Sequence, residues 1–182
     1  MTSTTTAVPG YLTGTWTIDS VHSNVGFIVR HLGVSKIRGK FTEVEGEIKT
    51  AENILDSSVT ATIKAASIDT TNAQRDEHVR GSDFLDVEKY PTLSFRSTGI
   101  RADVDDYLID GELTLHGVTK PVTLTAELGG FGDGQTEGSK VLGVSARTEI
   151  NRSDFGVGEN VPSAVVGEKI TIELDIEALR QN

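Results

Sequence analysis

The 182-residue chain has no cysteine, which excludes disulfides, thiolate catalysis and Cys-ligated zinc or iron–sulfur centres. No run approaches the ~18 consecutive apolar residues of a membrane-spanning helix. The opening Met1–Gly10 stretch lacks the basic and apolar regions of a signal peptide, so the expected location is the cytoplasm, with no stable membrane anchor. Positive charge is in short supply, with 17 Lys+Arg against 27 Asp+Glu and a formal charge of −10. Without a basic run to set against that balance, the charge argues against nucleic-acid binding through phosphate neutralisation. The same acidity argues against docking on anionic membranes by charge. Aromatic residues are few: six Phe, three Tyr and one Trp.

What is present is alternation. Ile170, Ile172, Leu174 and Ile176 interleave with Thr171, Glu173, Asp175 and Glu177, as in a strand with one buried face. Comparable sets are Trp16/Ile18, Val25/Phe27/Val29, Val44/Gly46/Ile48, Val59/Ala61/Ile63/Ala65 and Leu93/Phe95. Tyr107/Ile109/Gly111/Leu113/Leu115, Val122/Leu124/Ala126/Leu128 and Leu142/Val144/Ala146/Ile150 complete about nine candidate strands. Turn signals at Asp105-Asp106, Gly117-Val-Thr and Gly129–Gly134 join neighbouring runs. Sequential strands with short turns predict an all-β, antiparallel, eight-stranded lipocalin-like barrel, because closure removes exposed edges.

One segment breaks the rhythm. Helix formers without alternation follow capping residues at Thr70–Asn72, which predicts a short helical insert around residues 72–88 covering one barrel opening. Pro91 then forces Tyr90 towards extended geometry. The glycine-rich 129–138 stretch reads as the most mobile hairpin tip. Residues 1–10 read as a flexible tail, and 11–182 as a single barrel domain. A barrel of about eight strands is either filled by side chains or shared with one small ligand. Small residues recur on the faces assigned inward: Ala61, Ala65, Gly111, Ala126, Ala146, and Gly143 if a bulge shifts its parity. That composition favours an apolar cavity.

Five tracts carry a resemblance. They are Trp16-Thr-Ile-Asp-Ser-Val-His22-Ser-Asn-Val-Gly-Phe27 with His31-Leu32, then Arg75-Asp-Glu-His78-Val-Arg-Gly-Ser-Asp-Phe84-Leu-Asp86, and Tyr90-Pro-Thr-Leu-Ser-Phe95. Gly111–Val122 and Arg152-Ser-Asp154-Phe155-Gly156 with Val166-Gly167 follow in order. Spanning residues 14–178, they resemble the YceI-like family, whose members are lipocalin-like barrels that bind polyisoprenoid-type lipids. The resemblance implies the fold, and with it an isoprenoid or similar long-chain lipid as the partner. One departure is Val79, where the family usually has Leu.

The candidate ligand wall comprises Phe27, Val29, His31, Phe41, Phe84, Leu93, Phe95, Leu113, Leu115, Val144 and Phe155, any of which could equally be plain core. Arg75, His78 and Arg152 are candidates for a lipid head group, since guanidinium offers paired donors to a diphosphate. Arg75 and His78, three apart, share one helix face. The four histidines could form a polar cluster at a cavity mouth. The competing reading is a structural network of Asp19, His22, Asp76, His116 and Asp154 that braces the insert. No H-x-H, H-E-x-x-H or i,i+4 His pair supports a metal site, no G-x-S-x-G elbow supports a serine nucleophile, and Gly156-Val-Gly158 lacks a third glycine at Val161. No cofactor is expected.

Three functions stay open on these residues. The first is sequestration or transport of a long apolar lipid, without catalysis. The second is an enzyme acting on a lipid- or quinone-like substrate through a His/Asp/Arg cluster. The third is an interaction scaffold, for which a homodimer is a ready form.

Overall fold

The computed structural model describes residues 8–181; most of the predicted tail lies outside them. Among the described residues the strands are β1 Gly14–Ile18, β2 Asn24–His31, β3 Ser35–Phe41, β4 Val44–Thr50, β5 Ser58–Lys64 and β6 Ile68–Asp69. After helix α1, Ala73–Arg80, come β7 Thr92–Asp103, β8 Asp106–Leu115, β9 Val118–Asp133, β10 Lys140–Asn151 and β11 Val166–Arg180. All pairings are antiparallel.

The closure follows from two bends. β1 and β2 both pair with the same edge of β11, through Ile18↔Ala178 and Asn24↔Asp175. They are therefore halves of one stave, bent at residues 19–23. β3 and β4 behave alike, facing β2 and β1 in turn and bent at residues 42–43. Ser20 ties the two bends together: its hydroxyl donates to the Thr42 carbonyl and accepts from the Val44 amide. Eight staves result, each hydrogen-bonded to the next in chain order, and β11 closes on the first. The expected eight-stranded lipocalin-like barrel is the structure observed.

The differences from the sequence reading are local. β3, unread in the sequence, alternates Lys36, Arg38 and Lys40 outward against Ile37, Gly39 and Phe41. Its inward glycine weakens the apolar signal. Gly39 is there because the Phe27 ring lies across it; a β-carbon at that position would sit 2.3 Å from the ring. Gly111 likewise yields to Phe95. Gly129, Gly130 and Gly132 belong to β9 and not to a hairpin tip, which lies at 134–139. Gly132 and Gly130 pair with Val141 and Gly143 of β10, and Gly129 is the extra residue where the register shifts at Gly143/Val144. Ala65 leaves the strand for a 3-10 turn, Ala65–Ser67, and packs in the core.

The helix begins where the side chain of Asn72 accepts from the Arg75 amide. The helical part of the insert is shorter than the predicted 72–88, since residues 82–89 continue as turns. Asp76, buried, accepts from both the amide and the hydroxyl of Thr70 and so fastens the helix to the end of β6. Arg80 adds bonds to the carbonyls of Ala66 and Ile68. The insert thus sits over the end of the barrel reached by β2, β5, β8 and β10. At the opposite end Trp16, Leu142 and Ala178 form a floor with almost no exposed surface, packed against Leu12 and Phe131.

Candidate functional site

Inside the staves lies a cavity of about 500 Å³ that runs from the floor to the insert. Its wall is built by strand parity: Val25, Phe27 and Val29 from β2, Leu93 and Phe95 from β7, and Ile170, Ile172, Leu174 and Ile176 from β11. Several inward side chains, Phe27, Phe41, Phe95 and Ile172 among them, are only half-buried although they point away from the outer surface. The cavity itself accounts for that exposure. Ala61, Ala126 and Ala146 line it and leave the room the sequence suggested.

The mouth lies under α1. Of the lining residues only His78 and Val165 are exposed, and both are at the helix end. Polar groups gather there too. Arg75 donates to the hydroxyl of Thr70 at 2.8 Å and to its carbonyl at 2.7 Å. Three of its five N–H donors have no partner among the described residues. His78 Nε2 is 2.9 Å from Asp83 Oδ2, and its ring meets Phe84 edge-on. His31, at the end of β2, completes the group. Phe27, Val29, His31, Phe41, Arg75, His78, Phe84, Leu93, Phe95, Leu113, Leu115 and Val144 are thus brought to one cavity.

Two of the sequence candidates are placed elsewhere in function. Phe155 is 2% exposed and packs in the core behind the wall, not on the cavity. Arg152 reaches the cavity lining but has no donor to offer a head group. Its five N–H groups meet five backbone carbonyls: Nε to Gly167, Nη1 to Val157 and Gly158, Nη2 to Val161 and Val166, at 2.6–3.1 Å. Glu168 supplies the countercharge at 3.5 Å. Arg152 clamps the 156–165 loop, which overhangs the mouth, to the start of β11.

Of the four histidines only His31 and His78 meet at the mouth. His22 lies on the outer wall at the β1–β2 bend, half-exposed, with Nδ1 2.7 Å from Asp19 Oδ2 and 3.4 Å from Glu177 Oε2. The hydrogen bond to Asp19, and then the two negative charges, raise the His22 pKa, while His22 lowers that of Asp19. The pair pins the bend and has no access to the cavity. His116 faces the Phe155 carbonyl at 3.1 Å and packs its ring at a tilt against Tyr90, bracing the segment after the insert. Asp76 braces the insert as described, whereas Asp154 is exposed and bonds to nothing among the described residues, so it joins no network. Val161 and Val165 are lining residues that periodicity could not reveal, because they sit in an irregular loop.

A closed, up-and-down, eight-stave antiparallel barrel around an apolar cavity defines a lipocalin-like barrel. The chain belongs to the YceI-like family: the YceI-like domain matches residues 16–178. Protein YceI of Escherichia coli is 39% identical over 161 residues, 88% of this chain and 83% of that protein. The crystal structure of the Campylobacter jejuni YCEI protein is similar at a TM-score of 0.76 and 30% identity, over 84% of this chain and 90% of that one. A polyisoprenoid binding domain from Saccharophagus degradans shares the fold at a TM-score of 0.69 and 14% identity, over 93% of this chain and all of that domain.

Proposed function

We propose that the barrel binds a long isoprenoid or related amphipathic lipid, its tail in the cavity and its head under the insert, for sequestration or transport. The observation that carries this reading is an almost wholly apolar cavity of about 500 Å³ whose polar lining is concentrated at the mouth. That size falls within the range of small-molecule sites. Apolar surface removed from water contributes ~25 cal/mol per Å², so the wall alone holds a long chain without specific chemistry. Arg75 and His78 then orient the head, and Arg152 holds the rim. The polyisoprenoid binding domain with the same fold supports the ligand class. The enzyme reading loses His22 and Asp19, which lie outside the barrel, and would rest on Arg75, His78 and Asp83 at the mouth.

Native mass spectrometry of protein purified without detergent, followed by organic extraction, tests the proposal. A stoichiometric adduct of isoprenoid or fatty-chain mass is expected. Protein that stays free of adduct after incubation with polyprenyl and fatty-chain lipids refutes it.

A further inference from the structure

The net charge of −10 hides an uneven surface. Arg30 pairs in register with Lys36, Ile28 with Arg38 and Gly26 with Lys40. All four basic residues are exposed on the outer face of the β2–β3 ribbon. In sequence they alternate with apolar residues and form no basic run; the hairpin assembles them into one patch. Among the described residues no carboxylate lies within 4.0 Å of any of them. The neighbouring acids are otherwise engaged: Asp69, beside Lys40, accepts from the Thr71 amide, and Glu168 and Glu173 face Arg152 and Arg147.

The ribbon ends in an apolar tip. Leu32 is 55% exposed and Val34 is 83% exposed. Leu32 and Gly33 are both left-handed, at φ 56° and 70°, the pattern of a type I′ turn that favours Asn-Gly. A γ-branched apolar residue is therefore held in an unfavoured conformation, facing solvent, where asparagine would fit better. The Leu32 amide donates to the Val165 carbonyl, so the tip abuts the 161–165 rim of the cavity mouth. At the far end, Val104 occupies a similar left-handed, exposed position, but its turn is flanked by Asp103, Asp105 and Asp106.

We propose that the β2–β3 hairpin is a docking element for anionic lipid bilayers, with Leu32 and Val34 entering the interface and Arg30, Lys36, Arg38 and Lys40 meeting its phosphates. Docking there sets the cavity mouth against the membrane, so lipid passes between bilayer and barrel without crossing bulk water. The passage of lipid rests on the proposed function above; the docking itself does not. The expectation from overall acidity is thereby reversed, because attraction decays within a Debye length and the local patch governs it.

Sedimentation of the full chain with vesicles of phosphatidylcholine, with and without phosphatidylglycerol, tests the docking. Binding is expected only to the mixed vesicles, with release by salt. Each basic residue near such a surface is worth about fivefold in binding. The triple variant K36Q/R38Q/K40Q therefore binds roughly 100-fold more weakly. L32N suits the turn and keeps the fold, yet lowers binding; V104N, the matched change at the far end, leaves it unchanged. Absence of vesicle binding, or undiminished binding by the triple variant and L32N, overturns the proposal. So does a dimer, formed without vesicles and dissolved by L32N, since a second copy would then cover the tip. Lipid extraction from the same preparations reports on the cavity independently, so docking and cavity binding fail separately.

Discussion

Replacing Arg152 with methionine separates a structural clamp from a head-group ligand. Methionine retains most of the aliphatic stem and removes every donor. Five carbonyls lose the guanidinium donor, and that of Gly158 keeps the Val161 amide. Those of Gly167, Val161 and Val166 belong to half-buried residues that water can approach, whereas Val157 and Gly158 are buried. An unsatisfied buried carbonyl costs ~1–3 kcal/mol; Gly158 keeps the Val161 amide, so the Val157 carbonyl alone predicts a loss of about 1–3 kcal/mol. For a domain of this length 1 kcal/mol moves Tm by about 2–4 °C, placing the fall at about 2–12 °C. Urea denaturation with an unchanged m-value gives the free energy directly. R152K, with three donors for five acceptors, lies between the two. A loss below about 1 kcal/mol would mean that water serves these carbonyls and that the clamp is not one. Unchanged stability with lost lipid binding would return Arg152 to the head-group role.

Two further changes address the cavity and the outer wall. Ala146→Phe projects a ring into the void, so the lipid adduct disappears from the native mass spectrum while the fold persists; a full adduct would show that the ligand sits elsewhere. His22→Ala removes a pair whose stabilisation has a defined pH window. The raised His22 pKa makes its contribution full below the ordinary value of about 6.5 and lost as pH rises through the folded value. The lowered Asp19 pKa makes its share present above about 3.9 and lost as pH falls through the folded value. The Tm difference between wild type and variant is therefore largest near pH 5 and shrinks in alkali. A difference constant from about pH 5 to pH 9 would contradict the ion pair.

Most of the barrel was legible because period-two alternation reports strand faces directly, as in Ile170 to Ile176. β3 escaped because Gly39 and Phe27 share one space: the ring supplied by β2 replaces the side chain that β3 lacks. Pairing across strands is invisible to a one-dimensional pattern. The same limit explains Phe155, whose residue type matches the wall but whose 3-10 turn places it behind. Arg75 and His78 were readable, since three residues on one helix turn bring side chains to one face. The partners of Arg152 were not, because they are backbone carbonyls and leave no trace in residue identity. His22 and His31 stand nine residues apart in one tract, but the bend at 19–23 and strand parity send them to opposite sides of the wall.

Among the described residues, the floor of Trp16, Leu142 and Ala178 turns the barrel into a blind tube with its doorway under the insert. On the proposed function, a chain entering there would slide inward until it meets Leu142 and Phe131, and the distance from doorway to floor would act as a ruler. Within a homologous series, each added unit should strengthen retention until the tube is full. Units beyond that point trail outside and add little. Selectivity in such a device is set by length at one end and by charge at the other.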